Sequence, residues 1–452
     1  MLWRDRLTPQ NAVCRAPLDA SRGSSSIPNR KSEEALQGRA GGRGEAALGM
    51  YGGMVGRSAD SAPSWQEKRR TIWALSRTAA GLLYPAGTPK EELKGVATCR
   101  WAVQSKAAGV DVHLSDYQES GQRRASFGGL QTCGLVWTCP ACAARISETR
   151  RRQVNAGLEW AKQQGYRIAM MTLTARHGEG DELAALLSAM KRAKKRLHQH
   201  RAWKRLKPGI VAMLTATEVT HGRNGWHPHF HVLLIVETEE AEAALAGLGD
   251  PWRGALRAEG LDGAAAAFDL QDASAAGRYV SKWGAGEELT MSGKKTAKGK
   301  GRTPLQLLEA HKAGNEGAGE LWLEYAAAFH RRTQLDGLAK LVLLAGLEEI
   351  SDEEAAQDEA QDGQERDEEP VANIDADTWR EKARKRRTDI LDAAEADGAA
   401  GVWSVIHGPG ARCDIARPPP PKPGGLIEQL MSSVQRRKAG GRPPPGPPAG
   451  SG

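Results

Sequence analysis

From Trp226 to Val236 the chain reads Trp-His-Pro-His-Phe-His-Val-Leu-Leu-Ile-Val. His229 and His231 stand two apart at the opening of an apolar run. In a β-strand such residues share one face, about 7 Å apart along the backbone. Both imidazoles therefore project from one side, while Phe230 between them points into a core. Two neutral imidazoles on the solvent side of a sheet can hold a divalent metal ion. A His-x-His pair also occurs in structural or incidental roles, so the neighbouring residues decide what it is for.

The preceding segment, Val211 to Thr220, is apolar and β-branched, and Asn224-Gly225 is a strong hairpin turn signal. With those two as the turn residues, Arg223 faces Trp226, Thr220 faces His229 and Glu218 faces His231. Directly opposed residues share a face, so Glu218 joins the imidazoles to make a divalent-metal site. A slip of one residue would turn Glu218 away and leave it solvated.

A second cluster is sulfur-based. Cys133, Cys139 and Cys142 fall within ten residues, and Cys139-Pro140-Ala141-Cys142 has the spacing of a zinc knuckle. Cys99 completes a tetrahedral set, with His113 as the competing fourth ligand. Two other readings stand beside structural zinc. One is a redox Cys-x-x-Cys ahead of a helix spanning 143–158; the other is unliganded thiols in a reducing compartment. Cys14 and Cys413 lie in the tails.

The elements that must position these residues follow from periodicity. Residues 166–174 read as a buried strand, and a long helix runs from about 182 to 203 with Leu183, Leu186, Leu187, Met190, Ala193 and Leu197 on one stripe. Its other face carries Lys191, Arg192, Lys194, Lys195, Arg196 and Arg201. A second helical region, 239–259, breaks at Gly249-Asp250-Pro251, and 267–270 reads as a short strand. Another apolar helix spans 321–329 and carries Tyr325 as a core residue. The pattern is α+β: an antiparallel sheet backed by helices, of the split βαβ kind, with a small zinc-binding element and disordered tails.

The formal net charge is +8 and the pI about 9.1, which favours phosphate-bearing partners. Residues 1–87 read as a mostly disordered basic arm, 88–160 as the cysteine element and 161–350 as the main domain. An acidic linker occupies 351–370, and 371–452 holds a helix and a Pro-rich tail. No run approaches the roughly 18–20 apolar residues of a membrane span. The N-terminus lacks an apolar signal-peptide core, so the chain reads as cytoplasmic.

Beyond the short strand, Tyr279 and Lys282 lie three apart, neighbours on one helix face. A tyrosine near an ammonium and a metal can serve as a nucleophile, although a tyrosine packed on a core is the commoner case. Lys294, Lys295, Lys298, Lys300 and Arg302 follow in a glycine-containing basic loop suited to a phosphate backbone.

In this order the features resemble the plasmid rolling-circle replication initiators (Rep proteins) of the HUH endonuclease superfamily. The matching pieces are Cys133/Cys139/Cys142, Thr172-Leu173-Thr174, the histidine motif at 227–231, Tyr279-Val280-Ser281-Lys282 and Gly301-Arg302-Thr303-Pro304. The resemblance covers about residues 95–350. It implies that His229 and His231, with Glu218, hold Mg²⁺ or Mn²⁺ against a scissile phosphate, while Zn²⁺ at the cysteines is structural. Tyr279 would attack, leaving a 5′-phosphotyrosine and a free 3′-OH, with Lys282 stabilising the charge. The implied partners are plasmid origin DNA, single-stranded or extruded as a hairpin, and a host helicase and DNA polymerase.

One position departs from some plasmid relatives, which carry a glutamate one helical turn before the tyrosine; here it is Ala275, with Asp272 further back. The role of His227, next to Pro228, stays open. So do three alternative functions: a single-tyrosine transposase, a conjugative relaxase, or a zinc-containing DNA-binding regulator that cuts nothing.

Overall fold

The computed structural model describes residues 64–117, 122–271, 301–357 and 370–408. Its main feature is a five-stranded sheet built from β3 (Arg167–Thr174), β4 (Ile210–Gly222), β5 (Gly225–Val236), β6 (Phe268–Gln271) and β7 (Leu335–Asp336). The strand order is β6-β3-β5-β4-β7 and every pairing is antiparallel.

β5 lies at the centre, and Val232 through Val236 are fully buried. That explains the unbroken apolar run: a strand covered on both faces loses the alternation of a half-exposed one. On one face Phe230, Val232 and Leu234 meet Met190, Ala193 and Leu197 of α3 (Leu183–Gln199) and Trp252 of α6 (Gly249–Ala258). On the other, Leu233, Ile235, Ala216 and Leu214 meet Val154 and Leu158 of α2 (Pro140–Gln163) and Leu341 of α9 (Leu338–Leu344). Each fully buried Val, Leu or Ile contributes about 1.5–3 kcal/mol, so this double layer fixes the register of β5 firmly.

A smaller antiparallel sheet is ordered β2-β1-β8, from β1 (Val110–Tyr117), β2 (Gln122–Phe127) and β8 (Ala372–Ile374). It carries its own core with Trp379, Ile390, Leu391 and Val402, and α11 (Arg387–His407, interrupted at Gly398) packs on it. α1 (Trp65–Leu83) opens on a Ser64/Glu67 capping box. α7 (Pro304–Lys312) opens on another, formed by Thr303 and Gln306, so the Thr303-Pro304 pair is a helix start. α8 (Glu316–Ala328) holds Tyr325 at 3% exposure, in the core.

Several boundaries differ from those read in the sequence. Residues 65–83, assigned to the arm, form α1. The acidic stretch begins as a packed helix, α10 (Asp352–Gln357): Arg150 pairs with Asp352 at 2.7 Å, and Ala355 and Ala356 are fully buried. The long basic helix ends at Gln199, because His200 is extended (φ −68°, ψ 147°) and caps a separate α4 (Arg201–Leu206) through its ring. α5 (Glu239–Ala244) and α6 divide near the expected Gly249 break.

The hairpin register also differs. The turn residues are Arg223 and Asn224, and Gly225 adopts φ 79°. Neither turn residue has positive φ, so this is the three-residue loop that ends in a left-handed glycine rather than a two-residue Asn-Gly turn. A Cβ on Gly225 would lie 2.7 Å from the Gly178 carbonyl oxygen, so side chains are excluded there as well. The pairing becomes Glu218 with His229 and Thr220 with His227. The displacement is two residues, an even number, so Glu218 keeps its face.

Candidate functional site

Thr172 on β3, Glu218 on β4 and His227, His229 and His231 on β5 share one face of the sheet, because β3 pairs Thr172 with His231 and β4 pairs Glu218 with His229. Glu218 Oε2 lies 3.2 Å from His229 Nε2 and 3.0 Å from His231 Nε2. Neighbouring ligands in an octahedron of about 2.1 Å radius are separated by about 3.0 Å, so the three atoms fit one small divalent ion. Thr172 Oγ1 sits 3.2 Å from His231 Nδ1. With an ion bound, His231 Nδ1–H donating to Thr172 Oγ1 would leave the Nε2 lone pair for the metal. His229 Nδ1 is buried without a hydrogen-bond partner.

The expected solvent-facing pair is less open than the sequence suggested. Side-chain exposure is 7% for His231, 14% for His229 and 9% for Glu218. The reason is that Ala216 and Leu233, on the same face, already lie under α2 and α9. His231 is therefore the border residue between core and site.

The structure adds a residue that sequence reasoning missed. His177, in the loop after β3, donates from Nδ1 to the Asn224 carbonyl at 2.8 Å, and its Nε2 is 2.7 Å from His227 Nδ1. A carbonyl only accepts, so in the neutral pair His177 Nε2 must accept from His227 Nδ1–H. His227 Nε2 then keeps a bare lone pair. Burial, with help from His229 and His177, pushes the His227 pKa down to about 4. The available signal was the position of His177 shortly after the Thr-Leu-Thr strand end.

The hairpin end is pinned from outside. Trp226 Nε1 donates to Glu324 Oε2 at 2.8 Å, while Glu324 Oε1 accepts from the Leu183 backbone N–H at the start of α3. Arg302, exposed, exchanges two backbone hydrogen bonds with His221 beside the same hairpin. Tyr279, Lys282, Lys294, Lys295, Lys298 and Lys300 lie outside the described residues, as do Asp272 and Ala275.

The four cysteines meet. Cys99 follows a short helical turn (Gly95–Ala97), Cys133 lies in a loop, Cys139 is the N-cap of α2 and Cys142 sits in its first turn. Their sulfurs all lie within 4.8 Å of one another. Contacts of 3.4 Å (Cys99–Cys142) and 3.6 Å (Cys133–Cys142, Cys139–Cys99) are close to the edge of about 3.8 Å for a tetrahedron with 2.3 Å metal–sulfur bonds. Hydrogen bonds from Cys133, Cys139 and Cys99 hold the Cys142 thiol well below its usual value, which favours a thiolate at a helix N-terminus. His113 is elsewhere, paired with Ser126 in the small sheet.

The structure thus combines an antiparallel sheet presenting two imidazoles and a carboxylate with a separate four-thiol cluster. Residues 130–242 match the replication-protein family model. "Protein rep" of Streptomyces lividans is 34% identical over 162 residues, 28% of this chain and 35% of that protein. A Streptomyces cyanogenus protein named "Neomycin resistance protein" is 30% identical over 160 residues, 28% of this chain and 36% of its own length. "Protein rep" of Bacillus amyloliquefaciens is 34% identical over 128 residues, 28% and 37% respectively. The chain thus spans about a third of the length of the curated relatives it matches. No solved structure matches it significantly. No helix among the described residues is long and apolar enough to cross a membrane.

Proposed function

We propose that the chain initiates plasmid replication by cutting one DNA strand at an origin, on a fold of the HUH endonuclease type. Tyr279 is the nucleophile, and Glu218, His229 and His231 hold Mg²⁺ or Mn²⁺. The observation that supports this most is the convergence of one carboxylate oxygen and two imidazole nitrogens inside the segment matching the replication-protein family. When bound, the ion supplies Lewis acidity at a phosphoryl oxygen.

The chain's own residues do the rest. The Tyr279 oxygen gives up its proton to solvent and attacks phosphorus. The P–O3′ bond breaks and its electron pair leaves with the 3′ oxygen, which takes a proton to become a primer hydroxyl. The 5′ phosphate stays esterified to Tyr279. Lys282, three residues further along the chain, stabilises the phenolate. Thr172 fixes the His231 tautomer, so that a lone pair, not a proton, faces the site. Lys294, Lys295, Lys298, Lys300 and Arg302 contact the DNA backbone. Zn²⁺ on Cys99, Cys133, Cys139 and Cys142 is structural. Origin DNA, single-stranded or extruded, is the substrate, a host helicase and polymerase act next, and the cytoplasm is the site of action.

The test is Tyr279→Phe. With Mn²⁺ and single-stranded oligonucleotides tiled across the origin, the native chain should give a covalent adduct by mass measurement. The variant should give neither adduct nor cleavage while still binding DNA. Cleavage by Tyr279→Phe at the native rate would mean that water is the nucleophile.

A further inference from the structure

Behind the candidate site, on the opposite face of the β4–β5 hairpin, a cleft of about 650 Å³ opens between α3 and the β4–β7 edge. Its lining includes Lys191, Arg192, Lys194, Lys195 and Arg332, five cations against the single carboxylate of Asp336. The α3 members recur at three- and four-residue spacing, so they form one continuous face of the helix. Arg192 is committed to Glu259 at 2.5 Å. Lys194 is anchored, with Nζ 3.0 Å from Thr215 Oγ1, 3.8 Å from Asp336 and over the Phe230 ring at 5.5 Å. Lys191 and Lys195 are exposed and meet no carboxylate among the described residues. His198, also in the lining, stacks on Trp203 and leaves its buried Nε2 without a partner.

Phe230 separates this cleft from the His229/Glu218/His231 face: its ring lies under Lys194, while its two neighbours point the other way. The two surfaces are therefore back to back on the same pair of strands.

We infer that this cleft holds the phosphate backbone of duplex DNA, gripping the double-stranded flank while the opposite face receives the strand to be cut. The inference rests on the proposed nicking role for its biological sense, but not for its binding chemistry. Duplex rather than single-stranded DNA is favoured by the lining itself. Single-strand grooves stack bases on aromatic side chains, and this lining offers lysine and arginine head groups with no phenyl, phenol or indole ring. Such a surface reads charge and backbone, not bases.

The experiment compares Lys191→Glu/Lys195→Glu with a control of equal charge change, Lys90→Glu/Lys94→Glu, whose lysines are exposed far from the cleft in sequence and absent from its lining. Binding to a duplex of arbitrary sequence and to a single strand of equal length is followed across a salt series, with no Mg²⁺ or Mn²⁺ added. The cleft variant should lose at least about tenfold in duplex affinity at 0.1 M salt, and its log–log salt slope should become shallower by about 1.8, or 0.9 per lost phosphate contact. Duplex binding and slope matching the control would overturn the assignment, as would a loss confined to the single strand. Because no cleavage is involved, a failure of the nicking mechanism would appear separately, as a native chain that binds duplex but forms no adduct.

Discussion

The two donor clusters solve different problems with different parts of the chain. The thiols come from separate points: a turn, a loop and a helix start. They close among Leu75, Ile146 and Trp322, with Cys99, Cys139 and Cys142 buried. The imidazoles and carboxylate come from two adjacent strands whose spacing is set by backbone pairing, and they number three. Around an ion, four soft donors would close the shell, whereas three harder ones would leave coordination positions open. The comparison teaches where rigidity comes from. At the first cluster an ion would organise the backbone; at the second the backbone is already organised and would place the ion.

The largest effect should follow from breaking the closed cluster. Structural zinc contributes apparent binding energies of about 10–16 kcal/mol, comparable to a whole domain's stability. Cys139→Ser should therefore take zinc from about one per chain to none and abolish cooperative unfolding, read by metal analysis and near-ultraviolet circular dichroism. A native chain that is well folded and zinc-free would erase the contrast.

The open cluster should fail in function before it fails in folding. His231→Gln should lower Mn²⁺ affinity on the order of 100-fold by calorimetric titration while keeping the zinc and most of the thermal stability. Glutamine suits the test better than alanine, because His231 is buried and a hole there would carry its own cost. Glu218→Gln should weaken Mn²⁺ less. If Mn²⁺ affinity stays unchanged in His231→Gln, the ligand assignment is wrong.

A smaller effect is expected at Thr172. Valine keeps its shape but removes the hydroxyl facing His231 Nδ1, so the imidazole loses its tautomer control. A decrease of about tenfold in Mn²⁺ affinity is expected, with no change in zinc content. An equal loss of zinc would mean that the two clusters are coupled.

The smallest effect belongs to the scaffold on the far face of the sheet, at His198 of α3. Burial holds the His198 pKa down to about 4, against an ordinary value near 6.5. The folded state favours the neutral ring, so the stabilisation is present above about pH 6.5 and fades as pH falls towards 4. Allowing for partial solvent exposure, it amounts to roughly 1–2 kcal/mol. In His198→Phe, which retains the stack on Trp203, the melting temperature should vary less between pH 6.5 and 4 than in the native chain. An unchanged slope would place the acid sensitivity elsewhere.

Much of the scaffold around the site was legible because local patterns decide it. The Val-Leu-Leu-Ile-Val run, the stripe on α3 and the Gly249 break each depend on neighbours in sequence. The hairpin register was read two residues off because Asn224-Gly225 signals a turn without fixing which loop length it closes; the contact of Gly225 with Gly178 settles that from a distance. The β1–β8 pairing was not legible, since β8 is three residues long and its partner lies at the other end of the chain. His177 escaped for a similar reason: its role arises from a carbonyl on a different loop.

That remote pairing has a consequence for synthesis. Until Ala372–Ile374 leaves the ribosome, the β1 edge has unpaired backbone groups, and the core around Val110 and Phe127 lacks Trp379 and Ile390. The strands of the sheet that carries the histidines end at Asp336, and α9, which covers one face, ends at Leu344. A nascent chain can therefore complete its five-stranded sheet while its amino-terminal hairpin still waits for a partner, and closing so long a loop is slow. An exposed edge in that interval invites pairing between chains. Premature termination after residue 350 should then produce a polypeptide whose central sheet is whole and whose first strands recruit their neighbours on the polysome.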